Sequence, residues 1–244
     1  MRNIKLTIEY DGTNYVGWQK QINGIGIQDK IEEAIFEITG ENVKLIGSGR
    51  TDSKVHAKGQ VANFRTNSKI SEEKFKYALN TKLPWDIAII ESEEVDWNFH
   101  SRYDAIGKEY SYLIYNSATR SPLYRNYSYH VSYLLNFEKM LDGKKYFLGT
   151  HDFLSFAGSK NILEDTHRTI NHINLKHKEN FIKLNIEGNG FLYNMVRIIA
   201  GTLIDIGRGK IRPEDIPYIM ERRDRKFAGH TAAPQGLYLE KVYY

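Results

Sequence analysis

The sequence predicts a mixed α/β (α+β) fold in which two halves share one long, mainly antiparallel sheet with helices on its outer face. Alternating apolar and polar residues, typical of half-buried strands, recur along the chain, beginning with residues 4–10. Residues 171–177 and 181–187 flank a short polar turn, which predicts a hairpin. Because hairpins outnumber helical crossovers, this order favours antiparallel strands over a doubly wound parallel sheet.

The first half begins with the strand at residues 4–10. A helix is expected over residues 27–39, because apolar residues recur there at helical spacing and Gly40 can cap its C terminus. A second helix starts at Ser71, which is followed by two glutamates, and must end before Pro84. The other strands expected in this half are residues 42–46, 60–65 and 87–95.

The second half repeats the mixture of strands and helices. After a glycine-rich turn, a helix is expected over residues 191–206, closed by Gly207. Pro213 suits the first position of a last helix, which Pro217 keeps short or kinks. The strands expected in this half are residues 108–115, 127–131, 171–177, 181–187 and 237–243.

The charge balance changes near residues 100–107, and this places the expected domain boundary. Residues 1–105 carry 14 basic and 16 acidic side chains, whereas residues 106–244 carry 20 basic and 14 acidic ones. The sequence therefore predicts an N-terminal α/β subdomain over 1–105 and a C-terminal one over 106–244.

The composition is that of an ordinary globular protein. Of the 244 residues, 41% are hydrophobic and 26% are charged, which excludes a disordered tail or a collagen-like repeat. No apolar run approaches the roughly 18–20 residues that span a bilayer, and the first residues lack the apolar core of a signal peptide. The chain has no cysteine, and its eight histidines form no zinc-binding motif. We therefore expect a cytoplasmic protein without a metal.

Two basic clusters point to a polyanionic partner such as nucleic acid. Between residues 44 and 69, six basic side chains surround a single acidic one, Asp52. Between residues 208 and 226, seven basic side chains stand against four acidic ones. Neutralising phosphates with such clusters releases counterions and favours binding. The alternative is a solvated charged surface.

Asp52 is the candidate catalytic group that the residues themselves offer. It lies in a loop of small and polar residues, with Arg50 two positions before it. A carboxylate beside arginines stays ionised, which suits a nucleophile or a base and excludes a general acid. The alternative is a carboxylate that only stabilises its own turn. No nucleophile elbow, Walker A loop or dinucleotide-binding motif competes with it.

Motifs along the whole chain resemble those of the TruA-type tRNA pseudouridine synthases. The loop around Asp52 resembles the active-site motif of that family, and the other motifs match in order and spacing. They read YDGTNYVGWQ at 10–19, GRTDSKVHA at 49–57, KEYSY at 108–112, GTHDF at 149–153, GNGFLYNMVR at 188–197 and GLYL at 236–239.

The resemblance implies two ferredoxin-like halves, a homodimer, and conversion of uridine to pseudouridine at positions 38–40 of the tRNA anticodon arm. Asp52 would be the nucleophile, on the ribose C1′ or the uracil C6. Tyr110 would stack on the extruded uracil, and Arg197 would hold Asp52 ionised and aimed. Arg50 would contact the RNA where the target nucleotide leaves the stack. The reaction is redox-neutral, so neither cofactor nor metal is expected.

Further residues are expected to line the substrate site. Leu192 and Leu237 belong to the core or form walls of the uracil pocket. The basic residues expected to contact phosphates are Lys54, Lys58, Arg208 and Arg212.

The chain departs from the family pattern at two places. Lys54 stands where the family usually has glycine, so it is either strained by a positive φ or an added phosphate contact. His230 stands where the family pattern has proline. Three alternatives stay open: a paralogue that acts on another structured RNA, a non-catalytic RNA-binding module, and an RNA methyltransferase, which no glycine-rich cofactor loop supports.

Overall fold

The computed structural model describes residues 1–19, 21, 24–158 and 165–244. Its strands are β1 (Arg2–Tyr10), β2 (Ile46–Gly47), β3 (His56–Thr66), β4 (Ile87–Val95), β5 (Gly107–Asn116), β6 (Tyr129–Val131), β7 (Gly149–Asp152), β8 (His167–Lys178), β9 (Phe181–Gly188) and β10 (Leu237–Tyr243). Its α-helices are α1 (Ile27–Thr39), α2 (Phe75–Asn80), α3 (Phe137–Lys144), α4 (Met195–Gly207) and α5 (Ile216–Glu221). Single turns of 3-10 helix lie at Gly12–Asn14, Glu72–Lys74, Lys145–Phe147, Leu154–Phe156, Pro213–Asp215, Arg225–Phe227 and Pro234–Gly236.

The described chain forms two compact units. The first contains Met1–Ile106 together with Tyr238–Tyr244, and the second contains Gly107–Leu237. The sequence-based division into 1–105 and 106–244 differs from this at the C terminus. The last residues join the first unit because β10 pairs in parallel with β3, where Tyr238 lies opposite His56.

The first unit is built around β1. This strand pairs antiparallel with β3, where Ile4 lies opposite Phe64, and antiparallel with β4, where Ile8 lies opposite Ile89. On its other edge β3 pairs with β2 and β10. Ile4, Leu6 and Ile8 are fully buried. The alternation predicted for β1 therefore places its apolar residues in the core, as expected.

The second unit has its own mainly antiparallel set of strands. β9 lies between β5 and β8, and β7 continues on the far side of β8. β6 is the exception, since it pairs in parallel with β5. α4 supplies much of this unit's core, because every residue of the helix after Arg197 is buried. The mixed α/β class and the hairpin of β8 and β9 are confirmed.

Several sequence-based bounds are wrong. Residues 42–45 do not form a strand, and β2 contains only Ile46 and Gly47. α4 begins at Met195 rather than at residue 191. The last helix, in contrast, is short as expected, since Pro213 begins a 3-10 turn and α5 follows it over only 6 residues. Both α3 and β7 lack a sequence-based counterpart. Among the described residues, no helix is long and apolar enough to cross a membrane.

Candidate active site

A buried glutamine fixes the base of the loop that carries Asp52 between β2 and β3. Gln60 is fully buried. Its Oε1 accepts the Ser48 hydroxyl at 2.7 Å, and its Nε2 donates to the Gly49 carbonyl at 3.0 Å. Ser48 and Gly49 lie at the start of the loop, so these two bonds fix the position of its first residues.

The segment after β1, residues 11–19, pairs with the same loop. Gly17 and Asp52 form an antiparallel backbone bridge, and the Trp18 N–H donates to the Thr51 carbonyl at 3.0 Å. Gly17 has a φ of +118°, and a Cβ there would lie 2.4 Å from the Thr51 carbonyl oxygen. This close approach requires glycine.

Two side-chain contacts hold the loop on either side of Asp52. Before it, the Thr51 hydroxyl bonds the Tyr10 hydroxyl at 2.7 Å in a buried position. After it, the Ser53 hydroxyl donates to the Tyr15 carbonyl at 3.1 Å. The backbone of Asp52 is therefore held from both directions, while its side chain is half-buried.

A buried histidine extends this support to the first residue of β3. The Gly12 N–H donates to His56 Nδ1 at 3.1 Å, and Asp11 Oδ1 lies 3.1 Å from the same nitrogen. The ring of His56 stacks on Tyr238 of β10, with centroids 4.8 Å apart. In the sequence His56 stands out only as part of a motif, and its position shortly after Asp52 is the signal that could have identified it.

Arg197 lies in the first turn of α4, in the second unit. Asn194 has a φ of 60°, which ends the preceding turn and starts the helix later than the apolar pattern suggests. Arg197 Nε donates to the Ala232 carbonyl at 2.8 Å, and Nη1 donates to Asn194 Oδ1 at 2.7 Å. These two bonds fix the plane of the guanidinium group.

Tyr110 and Tyr112 lie on the same face of β5 but in different surroundings. Tyr110 is half-buried, and its ring meets Phe191 edge-on with centroids 5.2 Å apart. Tyr112 is fully buried and donates its hydroxyl to the Ala233 carbonyl at 2.6 Å. Burial raises the pKa of Tyr112, so this hydroxyl remains a donor. Tyr110 is thus the more exposed member of the pair.

Comparison with known proteins supports the family resemblance that the sequence motifs indicate. A family model described as tRNA pseudouridine synthase matches residues 6–104 and 144–244, which is more than half of the chain. The chain belongs to this family. The family resemblance seen in the sequence is confirmed, and so is the enzyme class, an isomerase.

Curated relatives match this synthase over its whole length. A tRNA pseudouridine synthase A of Acetivibrio thermocellus is 58% identical, with 100% of both chains covered. A protein of Clostridium perfringens called tRNA pseudouridine synthase A 2 is 54% identical, and a tRNA pseudouridine synthase A of a Thermoanaerobacter species is 50% identical, again with 100% of both chains covered.

The synthase distributes the expected site residues over its two units. Arg50, Asp52 and Lys54 share one loop of the first unit, and both basic side chains are exposed. In the second unit, Leu192 and Leu237 are buried, with 5% and 7% of their surface exposed. Leu192 follows directly on Phe191, the ring that contacts Tyr110.

Some of the expected phosphate ligands already have partners. Lys58 Nζ lies 3.1 Å from Glu240 Oε1 and 5.4 Å from the centre of the Tyr238 ring. Arg212 pairs with Asp215 at 2.7 Å. The guanidinium of Arg208 lies 4.0 Å from the centre of the Tyr133 ring. Phosphate binding by these side chains would compete with the existing interactions. The described residues contain no group of three or more metal-ligating side chains.

The structure shows the backbone conformation at Lys54, the first departure from the family pattern. Lys54 has a φ of 65°, in the left-handed region that favours glycine. A side chain there costs about 1–2 kcal/mol. Lys54 is therefore strained, and its side chain is exposed.

We expect Lys54→Gly to stabilise the synthase by about 1 kcal/mol, since glycine adopts this backbone without strain. Thermal unfolding should shift upward by roughly 2–4 °C for a chain of this size. Lys54→Ala is the matched control, because it also removes the charge but keeps a Cβ. A similar rise for Lys54→Ala would mean that the charge, and not the φ, limits stability here.

Proposed function

We propose that this chain converts uridine to pseudouridine at positions 38–40 of the tRNA anticodon arm, with Asp52 as the nucleophile. The observation that carries the proposal is the fixed backbone of Asp52, bridged to Gly17 and held by hydrogen bonds at Thr51 and Ser53. A reacting group held in this way needs little reorganisation, which is worth several kcal/mol of barrier.

The proposed reaction conserves atoms and electrons. The N1–C1′ glycosidic bond breaks, the uracil turns, and a bond forms between C5 and C1′. The proton of C5 leaves to solvent while N1 gains one, so no oxidant or reductant takes part. The carboxylate of Asp52 supplies the nucleophile, either at C1′ or at C6. The base must first leave its stack in the RNA.

We assign Tyr110 to stacking on the extruded uracil and Leu192 and Leu237 to the walls of its pocket. Tyr110 is half-buried and its ring is oriented by Phe191, which favours a fixed aromatic surface. The two leucines are buried in the second unit, which also holds Tyr110. Apolar walls exclude water from the cleaved intermediate.

We assign Arg197 to pairing with Asp52, so that the carboxylate stays ionised and aimed. Support comes from the family pattern and from the restricted guanidinium, whose Nε and Nη1 donate to Ala232 and Asn194. Arg197 follows directly on apolar residues of α4, where an arginine is costly unless its charge is compensated.

Basic side chains of both units are proposed to hold the RNA backbone. Arg50 would contact the strand where the target nucleotide leaves the stack, and the phosphate ligands would be Lys54, Lys58, Arg208 and Arg212. An enzyme that serves several tRNAs reads shape and backbone rather than base edges. Basic residues spread over the chain suit this mode better than a single recognition helix would.

Replacing Lys54, Lys58, Arg208 and Arg212 together with alanine should weaken tRNA binding and flatten its salt dependence. The slope of log K against log salt should fall by about one unit for each phosphate that the protein no longer neutralises. Filter binding at several salt concentrations measures it. An unchanged slope would place the RNA elsewhere on the surface.

The family resemblance also supports two proposals about the whole molecule. We propose that the synthase works as a homodimer and in the cytoplasm. Sedimentation at micromolar concentration tests the first, since a monomer there would count against it. Fractionation of cells that produce a tagged chain tests the second, and the tagged protein should remain with cytoplasmic tRNA-binding proteins.

Pseudouridine mapping of total RNA from a deletion strain tests the proposed substrate. We expect loss at anticodon-arm positions of several tRNAs, restored by the wild-type gene and not by Asp52→Asn. Loss confined to ribosomal RNA would contradict the tRNA proposal and favour a paralogue that acts on another structured RNA.

A further inference from the structure

The second unit contains a buried carboxylate that the proposed chemistry does not use. Asp205 lies on α4, and its side chain is only 9% exposed. Its Oδ2 accepts the His230 N–H at 3.1 Å and lies 2.9 Å from His230 Nδ1. Its Oδ1 is buried without a hydrogen-bond partner in the described ranges, 4.0 Å from Lys210 Nζ. The carboxylate therefore depends mainly on His230.

This carboxylate is ionised despite its burial. Burial acts to raise the pKa of Asp205, but the hydrogen bonds from His230 and the charges of His230 and Lys210 lower it below its ordinary value. On the other side of the imidazole, the Tyr129 hydroxyl lies 3.4 Å from His230 Nε2. A buried carboxylate is costly unless it is hydrogen-bonded. His230, which bonds to the Asp205 carboxylate, is therefore held in a defined position.

The segment that contains His230 lies along one stripe of α4. Arg197, Gly201 and Asp205 are four residues apart and share this face of the helix. A Cβ on Gly201 would lie 1.8 Å from the His230 carbonyl oxygen, so the backbone of residues 229–232 approaches the helix directly. The Gly229 N–H also donates to Thr202 Oγ1 at 3.0 Å.

The other end of the same stripe is Arg197. The Ala232 N–H donates to the Arg197 carbonyl at 3.1 Å, and the Ala232 carbonyl accepts Arg197 Nε at 2.8 Å. His230 is only two residues before Ala232. A shift of the segment at His230 would therefore move the carbonyl that orients the guanidinium group.

We propose that His230 and Asp205 are positioning residues that set the orientation of Arg197 through residues 229–232. The inference rests on the role proposed above for Arg197. Both contacts belong to His230 itself, since its backbone N–H and its imidazole reach the same carboxylate oxygen. A proline at this position would have no backbone N–H to donate to Asp205 and no imidazole to face it.

The first test compares two substitutions of His230 in an assay that follows tritium release from C5-labelled tRNA transcript. His230→Ala should lower kcat about 10-fold and leave KM within about twofold, because the guanidinium is displaced while RNA binding is retained. His230→Asn should restore most of kcat, since its amide N–H can replace that of Nδ1. Thermal unfolding of each variant ensures that assays are run on folded protein.

The second test places His230→Ala in an Arg197→Lys background. If His230 acts through Arg197, its effect on kcat should shrink to less than about twofold there. A merely structural role would give the same loss in both backgrounds. Should His230→Ala fail to fold, Asp205→Asn is the second variant, with an expected loss of about threefold that also vanishes with Arg197→Lys.

Three results would overturn the positioning role: an unchanged kcat for His230→Ala, no rescue by His230→Asn, or equal losses in the two Arg197 backgrounds. The Arg197→Lys variant alone separates this inference from the proposed function. An unchanged kcat in that variant would contradict the catalytic role of Arg197 itself. A reduced kcat with additive losses would contradict only the role of His230 and Asp205.

Discussion

Asp52→Asn should abolish pseudouridine formation while leaving tRNA binding within about twofold of wild type. The substitution keeps the size of the side chain but removes its charge and its nucleophilic oxygen. The backbone bonds around it, which involve Gly17 and Thr51, do not depend on the carboxylate. The measurements are nucleoside analysis of the treated tRNA and filter binding of untreated tRNA.

Asp142→Asn is the control for this experiment. Asp142 is exposed on α3 and pairs at the surface with Lys145, at 2.7 Å. Such pairs contribute about 0–1 kcal/mol, so activity and stability should both be nearly unchanged. Residual activity of Asp52→Asn above about 1% of wild type would remove Asp52 from the nucleophile's role, since loss of a covalent catalyst normally costs several powers of ten.

Gly17→Ala should have the second largest effect, because it forces the loop that carries Asp52 away from the segment after β1 that holds it. A Cβ would lie 2.4 Å from the Thr51 carbonyl oxygen, at a φ of +118°. Strain and overpacking together should cost roughly 2–5 kcal/mol of stability. Displacement of Asp52 by about 1 Å should lower kcat about 100-fold.

Gly40→Ala separates the cost of backbone strain from the effect on Asp52. Gly40 also has a positive φ, +73°, but a Cβ there would meet nothing within 4 Å. We expect a loss of about 1–2 kcal/mol and unchanged kcat in the folded protein. If Gly17→Ala also kept full kcat when folded, the loop would not need this support for catalysis.

Local patterns predicted those elements whose signals lie within the element itself. α1 has the expected bounds because apolar residues recur on one face and Gly40 ends it in the left-handed conformation. β4 and β10 likewise have the expected bounds. The predicted start of α4 was wrong because Asn194, and not the apolar pattern, determines it.

Side chains from a distant element explain why the strand expected at residues 42–46 does not form. Gln28 Nε2 donates to the Leu45 carbonyl at 3.1 Å, and Glu32 Oε1 accepts the Leu45 N–H at 2.9 Å. Both partners lie on α1, so the backbone groups of Leu45 are satisfied by a helix rather than by a strand. No local propensity reveals such an exchange.

The candidate site likewise contains residues that local sequence predicts and residues that only the fold brings together. Asp52 was found from its isolation among basic residues and from the family motif, both of which lie in one short stretch. The support from Tyr10, Gly17 and Gln60 depends on hydrogen bonds and close approaches between separate strands and loops. Asp205 and His230 are 25 residues apart and gave no signal of pairing.

The most direct test of the central claim is release of tritium from tRNA transcript labelled at C5 of uridine. We expect the purified chain, without added cofactor, to release label from anticodon-arm uridines, and Asp52→Asn to release none. Release requires substitution at C5, so binding alone cannot produce it. Tight tRNA binding with no release by the wild-type chain would contradict the proposed reaction and favour a non-catalytic RNA-binding module.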